Sequence, residues 1–208
     1  MKVLMINGSP HAKGCTWRAL AEMEKTFTEL GVESEILHIG AKDIRGCIAC
    51  RRCSTLGKCV FDDVVNEAAE KFREADGLVI GSPVYYASAN GTLISFMDRL
   101  FYSANVDKRM KVGAAVVSAR RGGNTATFDE LNKYFTISEM PVATSQYWNQ
   151  VHGYTAEDVE KDVEGLQTMR VLARNMAFLM KSIQLGKEQF GLPEREEQHY
   201  FTSFPDGL

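Results

Sequence analysis

The 208-residue sequence has no surplus of basic residues: 24 Lys and Arg stand against 27 Asp and Glu, for a formal net charge of −3. Nucleic-acid-binding domains usually carry a basic excess, so that class is disfavoured. No apolar run approaches the roughly 20 residues that cross a bilayer. The opening "MKVLMINGSP" has one lysine and a short apolar run but no small-residue cleavage site, so it reads as a first strand and not a signal peptide. There is no internal repeat, low-complexity segment or linker, which predicts one domain over residues 1–208. The setting expected from this is a reducing cytoplasm, where clustered cysteines are more often metal ligands or catalytic thiols than disulfides.

Apolar runs instead alternate with helical patterns. "KVLMING", "ESEILHIG", "DGLVIGSPV", "KVGAAVVSA" and "MPVATSQ" read as five strands. Between them, "WRALAEMEKTFTEL", "VVNEAAEKFREA", "NGTLISFMDRLFY" and "FDELNKYFTIS" have helical spacing. "TAEDVEKDVEGLQTMRVLARNMAFLMKSIQ" predicts one long final helix, with Thr155 at its start. Strands separated by helices imply an α/β fold, a parallel sheet covered on both faces. A tail from 186 to 208, holding Phe190, Tyr200, Phe201 and Phe204, is expected to dock on the body or on a neighbouring subunit.

In such sheets ligands bind beyond the carboxyl ends of the strands. The first such end is "NGSPHAKGCTWRAL", residues 7–20. It lacks G-x-x-x-x-G-K-[ST], which argues against Walker-type hydrolysis, and lacks G-x-G-x-x-G, which disfavours a dinucleotide fold. What remains is a single phosphate on the first helix, held by backbone amides with Ser9, His11, Gly14, Cys15 and Thr16. The plainer alternative is a simple strand–helix turn.

The loop resembles the "GSPR-x-x-GNT" phosphate loop of the NADPH-dependent FMN reductase family in the flavodoxin superfamily, with His11 in place of Arg and Cys15 in place of Asn. "GSPVYYASANGTLISFMDR" (81–99) resembles that family's second flavin segment, and "SARRGGNTAT" (118–127) its third. The resemblance covers residues 1 to about 153. It implies a flavodoxin-like three-layer sandwich with strand order 2-1-3-4-5. FMN would be bound, NAD(P)H would be the co-substrate, and a small acceptor (quinone, nitro- or azo-aromatic, or flavin) would take the electrons. A homodimer or homotetramer is also implied.

In this reading Pro83, Val84, Tyr85 and Tyr86 border the flavin ring, while Ser118, Arg120, Gly122 and Gly123 approach its pyrimidine edge. Tyr85 and Tyr86 as ordinary loop aromatics, and Arg120–Arg121 as a solvated pair, stay open. Trp148 reads as interface or core and His152 as a structural histidine; Asp98 and Arg99 are expected to pair with each other at a helix end.

The stretch "GCIACRRCSTLGKC" (46–59) contains four of the five cysteines, within a loop expected at 46–60. Cys47, Cys50, Cys53 and Cys59 follow C-x2-C-x2-C-x5-C, similar to iron–sulfur spacing though with a longer last gap. Zinc more often uses two separated C-x2-C pairs, and a dithiol needs only two cysteines. The pattern resembles the iron–sulfur flavoproteins, a branch of the same family that carries a [4Fe–4S] cluster beside FMN. Cluster, zinc and free thiols stay open, as do three roles: FMN-dependent NAD(P)H oxidoreductase, electron carrier between proteins, and thiol-based redox sensor.

Overall fold

The computed structural model describes residues 1–194 and Tyr200. β1 (Lys2–Asn7), β3 (Gly77–Tyr85) and β5 (Val112–Ala119) form the centre of a parallel sheet, with β2 (Glu33–His38) on one edge and β6 (Gln150–His152) on the other. The order is β2-β1-β3-β5-β6, and a two-residue strand β4 (Ser88–Ala89) folds back antiparallel on β3. Apart from β4, which the sequence reading did not anticipate, this is the expected 2-1-3-4-5 order.

The central strands are buried on both sides, which is why they read as continuous apolar runs. Their side chains alternate between two cores. Leu4, Ile6, Leu78, Ile80, Ala115 and Val117 meet α3 (Val64–Glu74), α4 (Gly91–Ser103) and α5 (Asn124–Thr136). Val3, Met5, Val79, Ala114 and Val116 meet α1 (Cys15–Glu29) and α7 (Val163–Phe190). Among the described residues no helix is long and apolar enough to cross a membrane.

Two elements depart from the sequence reading. "MPVATSQ" is not the fifth strand: Pro141 has no N–H to give, and only Val142 bridges the sheet, opposite Gly113. The chain leaves at 144–149, exposing Tyr147 and Trp148, and rejoins as β6 opposite Val117–Ala119. The long final helix is broken into α6 (Ala156–Val159) and α7. Asp162 causes the break, because its carboxylate caps Gly165 N (2.9 Å) and also accepts from His152 N (2.6 Å). α7 then runs through Gly186, where a tail was expected to begin, and stops at Gly191 with a left-handed φ of 76°. Phe190 and Tyr200 are exposed, not docked on the body, while Phe201 and Phe204 lie outside the described residues.

Gly113 is the tightest core glycine facing a ring: a Cβ there would fall 2.5 Å from Phe135. Gly113→Val should therefore destabilise the fold by about 1–3 kcal/mol through overpacking. A lowered urea midpoint at unchanged slope is the expected reading, and an unchanged midpoint would contradict this packing.

Candidate functional site

β1 ends at Asn7, whose buried side chain shapes the loop that follows. Its Oδ1 accepts from Ser9 N (3.1 Å) and its Nδ2 donates to the Ala12 carbonyl (3.3 Å). Ser9 Oγ accepts from His11 N (3.2 Å), and Gly8 N donates to the Gly81 carbonyl (2.9 Å). Three residues outside the motif hold the loop from behind. Asn90 Nδ2 donates to the Gly8 carbonyl (2.6 Å), and His38 Nε2 lies 2.8 Å from the Ser9 carbonyl, which can only accept. At Gly40 a Cβ would sit 2.1 Å from that same carbonyl, so only glycine fits. The sequence signal for this support was the glycine just after the second strand.

The loop leads into α1 at Gly14, and no side chain caps the helix or places an acid in its first turn. Asp63, Asn90 and Asp162 cap α3, α4 and α7, whereas α5, like α1, starts at a glycine without a side-chain cap. The α1 amides therefore open into a cleft of about 860 Å³ at the strand ends. Ser9, His11, Gly14, Cys15 and Thr16 line it. Pro83, Val84 and Tyr85 from β3, Ser118 from the end of β5 and Arg120 just beyond it join them. Thr16 and Ser118, both buried, share a hydroxyl–hydroxyl hydrogen bond of 2.8 Å that ties the first loop to β5.

Tyr86, Gly122 and Gly123 do not line this cleft. Tyr86 is fully exposed and, with Ala87, makes the two-residue turn between β3 and β4, at φ of 52° and 59°. Such turns favour Asn-Gly; here the strain is held by Glu130, which accepts from Ser88 Oγ (2.8 Å) and Ala89 N (2.8 Å). Gly123 starts α5 at φ 91°, packed against that hairpin: a Cβ would meet Ala87 Cα and Val84 Cγ1 at 2.9 Å. Gly122 faces open space.

Gly153 to Glu157 form the far wall. Gly153 ends the stretch 145–153, which the family resemblance puts near the flavin or against a partner subunit, and Tyr154 to Glu157 were not foreseen from sequence. Arg120 stands 6.0 Å from the exposed ring of Tyr154. Cys15 Sγ donates to the Gly153 carbonyl (3.5 Å). Burial pushes that thiol up, and Asp158 and Glu157 push it further, so it stays neutral at pH 7. His152 lies outside the cleft, its Nδ1 3.7 Å from Asp162.

The cysteine loop forms a second locus. Cys47 and Cys50 are exposed, Cys53 and Cys59 half-buried, and all four are free thiols around one pocket backed by Phe61, Arg99 and Tyr102. Ala49 and Arg51 are both left-handed (φ 52° and 56°), and the one-turn helix α2 (Cys53–Leu56) follows, ending at Gly57. Asn66 clamps Cys59 by accepting from its N (3.0 Å) and donating to its carbonyl (3.1 Å). Among the described residues no three His, Cys, Asp or Glu side chains are gathered to hold a metal ion. The expected quartet of Cys47, Cys50, Cys53 and Cys59 thus shares a pocket without a ready single-ion geometry. Cys59 is fixed by its clamp, Cys53 by α2, and the other two lie on an exposed stretch. Asp98 and Arg99 do not pair with each other: Asp98 accepts from Tyr134 Oη (2.6 Å), and Arg99 turns inward to Asp63.

Residues 1–155 match the family described as NADPH-dependent FMN reductase. The chain belongs to that family. An iron–sulfur flavoprotein of Methanocaldococcus jannaschii is 35% identical over 191 residues, covering 88% of this chain and 99% of that one. An iron–sulfur flavoprotein of Methanosarcina thermophila is 29% identical over 193 residues, covering 91% and 100%. Among solved structures, RosB with bound 8-demethyl-8-formylriboflavin-5′-phosphate superposes with a TM-score of 0.72 at 14% identity, covering 99% of this chain and 93% of that one. An NAD(P)H:quinone oxidoreductase from Methanothermobacter marburgensis gives 0.65 at 16% identity, covering 85% and 96%. The fold of this family member is flavodoxin-like.

The far wall is braced by ions. Glu22 of α1 accepts from Arg18 (2.9 Å) and from Arg170 of α7, and Arg18 also reaches Glu160 just after α6. Burial pushes the Glu22 carboxyl up, yet hydrogen bonds from Arg170 and Arg18 outweigh it and hold it below the usual range. A carboxyl lowered on folding stabilises above its unfolded pKa, about 4.3, and that contribution is lost as pH falls through the folded value. Glu22→Gln should therefore be less stable than wild type at pH 7, with the gap closing below about pH 4. Urea midpoints at both pH values check this; a gap independent of pH would contradict it.

Proposed function

We propose that this protein is an FMN-dependent oxidoreductase that passes hydride or electrons from NAD(P)H to a small acceptor such as a quinone, a nitro- or azo-aromatic, or a flavin. The observation that carries the reading is the cleft into which the uncapped α1 start, Thr16–Ser118, Tyr85 and Arg120 all open. The α1 amides and the Ser9 and Thr16 hydroxyls suit one terminal phosphate, and FMN has one. Pro83, Val84 and Tyr85 offer a stiff apolar wall for a ring, held in place by Glu130 through β4. Arg120 adds positive charge to a cleft whose occupant becomes more negative on reduction. When bound, FMN supplies the hydride and electron transfer, and the protein supplies binding, orientation and field.

The relatives' names and the four thiols around one pocket favour a further reading, a [4Fe–4S] cluster on Cys47, Cys50, Cys53 and Cys59, with electron carriage between protein partners as the alternative role. Four soft thiols suit iron and sulfide, and a cluster of several atoms fills more space between ligands than one ion does. We also infer a cytoplasmic homodimer or homotetramer, in which exposed Tyr147 and Trp148 offer contact surface.

Acid release from anaerobically purified protein should yield FMN, and NAD(P)H should bleach the bound flavin; recovery of FAD would overturn the reading. Ser9→Ala and Thr16→Ala should each weaken FMN binding by about 1.5–3 kcal/mol, measured by fluorescence quenching on the apoprotein. Unaltered affinity in both variants would put the phosphate elsewhere.

A further inference from the structure

Among the described residues Arg99 is the largest fully buried side chain, 1% exposed, on a helix that otherwise buries apolar residues and Ser103. A guanidinium has five N–H donors, and every one is engaged. Nη1 donates to Asp63 Oδ2 (2.6 Å) and to the Arg45 carbonyl (3.4 Å). Nη2 donates to Asp63 Oδ1 (2.9 Å) and to the Phe61 carbonyl (3.3 Å). The fifth, Nε–H, points at Cys59 Sγ, 3.3 Å away.

The bidentate carboxylate already balances the buried charge. The sulfur contact is therefore not explained by charge pairing with Asp63. A neutral thiol is a weak acceptor, a poor partner for a charged donor taken out of water. A sulfur bound to iron carries negative charge and accepts well. Hydrogen bonds to cluster sulfurs also raise reduction potentials, because they favour the more negative reduced state. Arg99 further supports the loop on which Cys59 lies, through the carbonyls of Arg45 and Phe61.

α4 fixes where this donor stands. Its N-cap Asn90 holds the phosphate loop at Gly8, and Arg99 follows nine residues later, about 14 Å along the axis. One helix thus ties the guanidinium at the cysteine pocket to the loop that borders the cleft.

We propose that Arg99 is a positioning residue for the cysteine pocket: it holds Cys59 in place and, through Nε–H, sets the reduction potential of the cluster that the four thiols carry. This rests on the cluster reading above. It assigns a role to a residue that touches neither the phosphate loop nor the far wall of the cleft.

The test uses the whole chain, purified and reconstituted anaerobically with iron and sulfide. Wild type is compared with Arg99→Lys, which keeps the charge but loses the fork and Nε–H. A second variant, Arg99→Met/Asp63→Asn, removes both charges while the amide oxygen still caps Val65. Iron, sulfide and FMN are counted per chain, and the cluster midpoint is read by spectroelectrochemical titration. Arg99→Lys should hold wild-type iron, sulfide and FMN, but its cluster should be about tenfold harder to reduce at a fixed ambient potential, a fall of about 59 mV. The double variant should fall at least as far, or lose its iron while keeping FMN. A loaded variant at the wild-type potential would overturn the proposal. So would loss of iron from the lysine variant as well, since Arg99 would then only maintain the shape of the loop. Wild type that takes up neither iron nor sulfide would sink the cluster reading itself, and the proposal with it, while leaving the FMN assignment standing.

Discussion

A parallel sheet buried on both faces leaves its polar backbone one outlet, the row of strand ends where pairing stops. At the end of β1 that problem is solved by Asn7, fully buried, which takes Ser9 N and the Ala12 carbonyl into one side chain. The loop it shapes must then pass close to the neighbouring strand ends, with Gly40 pressed against Ser9 and Asn90 bonded to Gly8. These contacts satisfy the backbone of the loop and leave the first amides of α1 without a side-chain cap. The cleft is thus a result of how the sheet ends, and its walls are borrowed from elements with other structural duties.

Much of this was legible because burial writes itself into apolar runs. The three central strands and the helices between them stood out, as did the order of the segments that wall the cleft. What escaped notice depends on single side chains that change the path of a chain whose pattern looks regular. Asp162 stops a helix that hydrophobic spacing would have continued, and Pro141 removes a ladder bond in a segment that otherwise reads as a strand. The Tyr86–Ala87 turn has no Asn-Gly signal, since Glu130, 44 residues from Tyr86 in sequence, supplies its support. Likewise, spacing could align the four cysteines but could not reveal that Cys59 leans on a guanidinium from another helix.

Two loci with different physics share one scaffold. The cleft is wide, lined by hydroxyls and open amides, and suited to an anionic ligand with a flat ring. The cysteine pocket is narrower, rimmed by thiols and backed by two aromatic rings and a buried cation. Asn66 and Asp63, both at the start of α3, serve the second locus much as Asn7 and Asn90 serve the first. In each case short polar side chains at element ends hold an irregular segment against a rigid one.

α4 is the element common to both, with Asn90 at its head and Arg99 near its tail. A helix advances by 1.5 Å and turns by one part in 3.6 for each residue. Adding or deleting one residue between these two positions would swing the guanidinium about 100° away from Cys59 while leaving the apolar composition of the helix almost unchanged. Substitutions along this stretch are judged by size and polarity, but changes of length are judged by phase. A lineage that keeps both loci therefore has room to vary the residues of α4 and little room to vary their number.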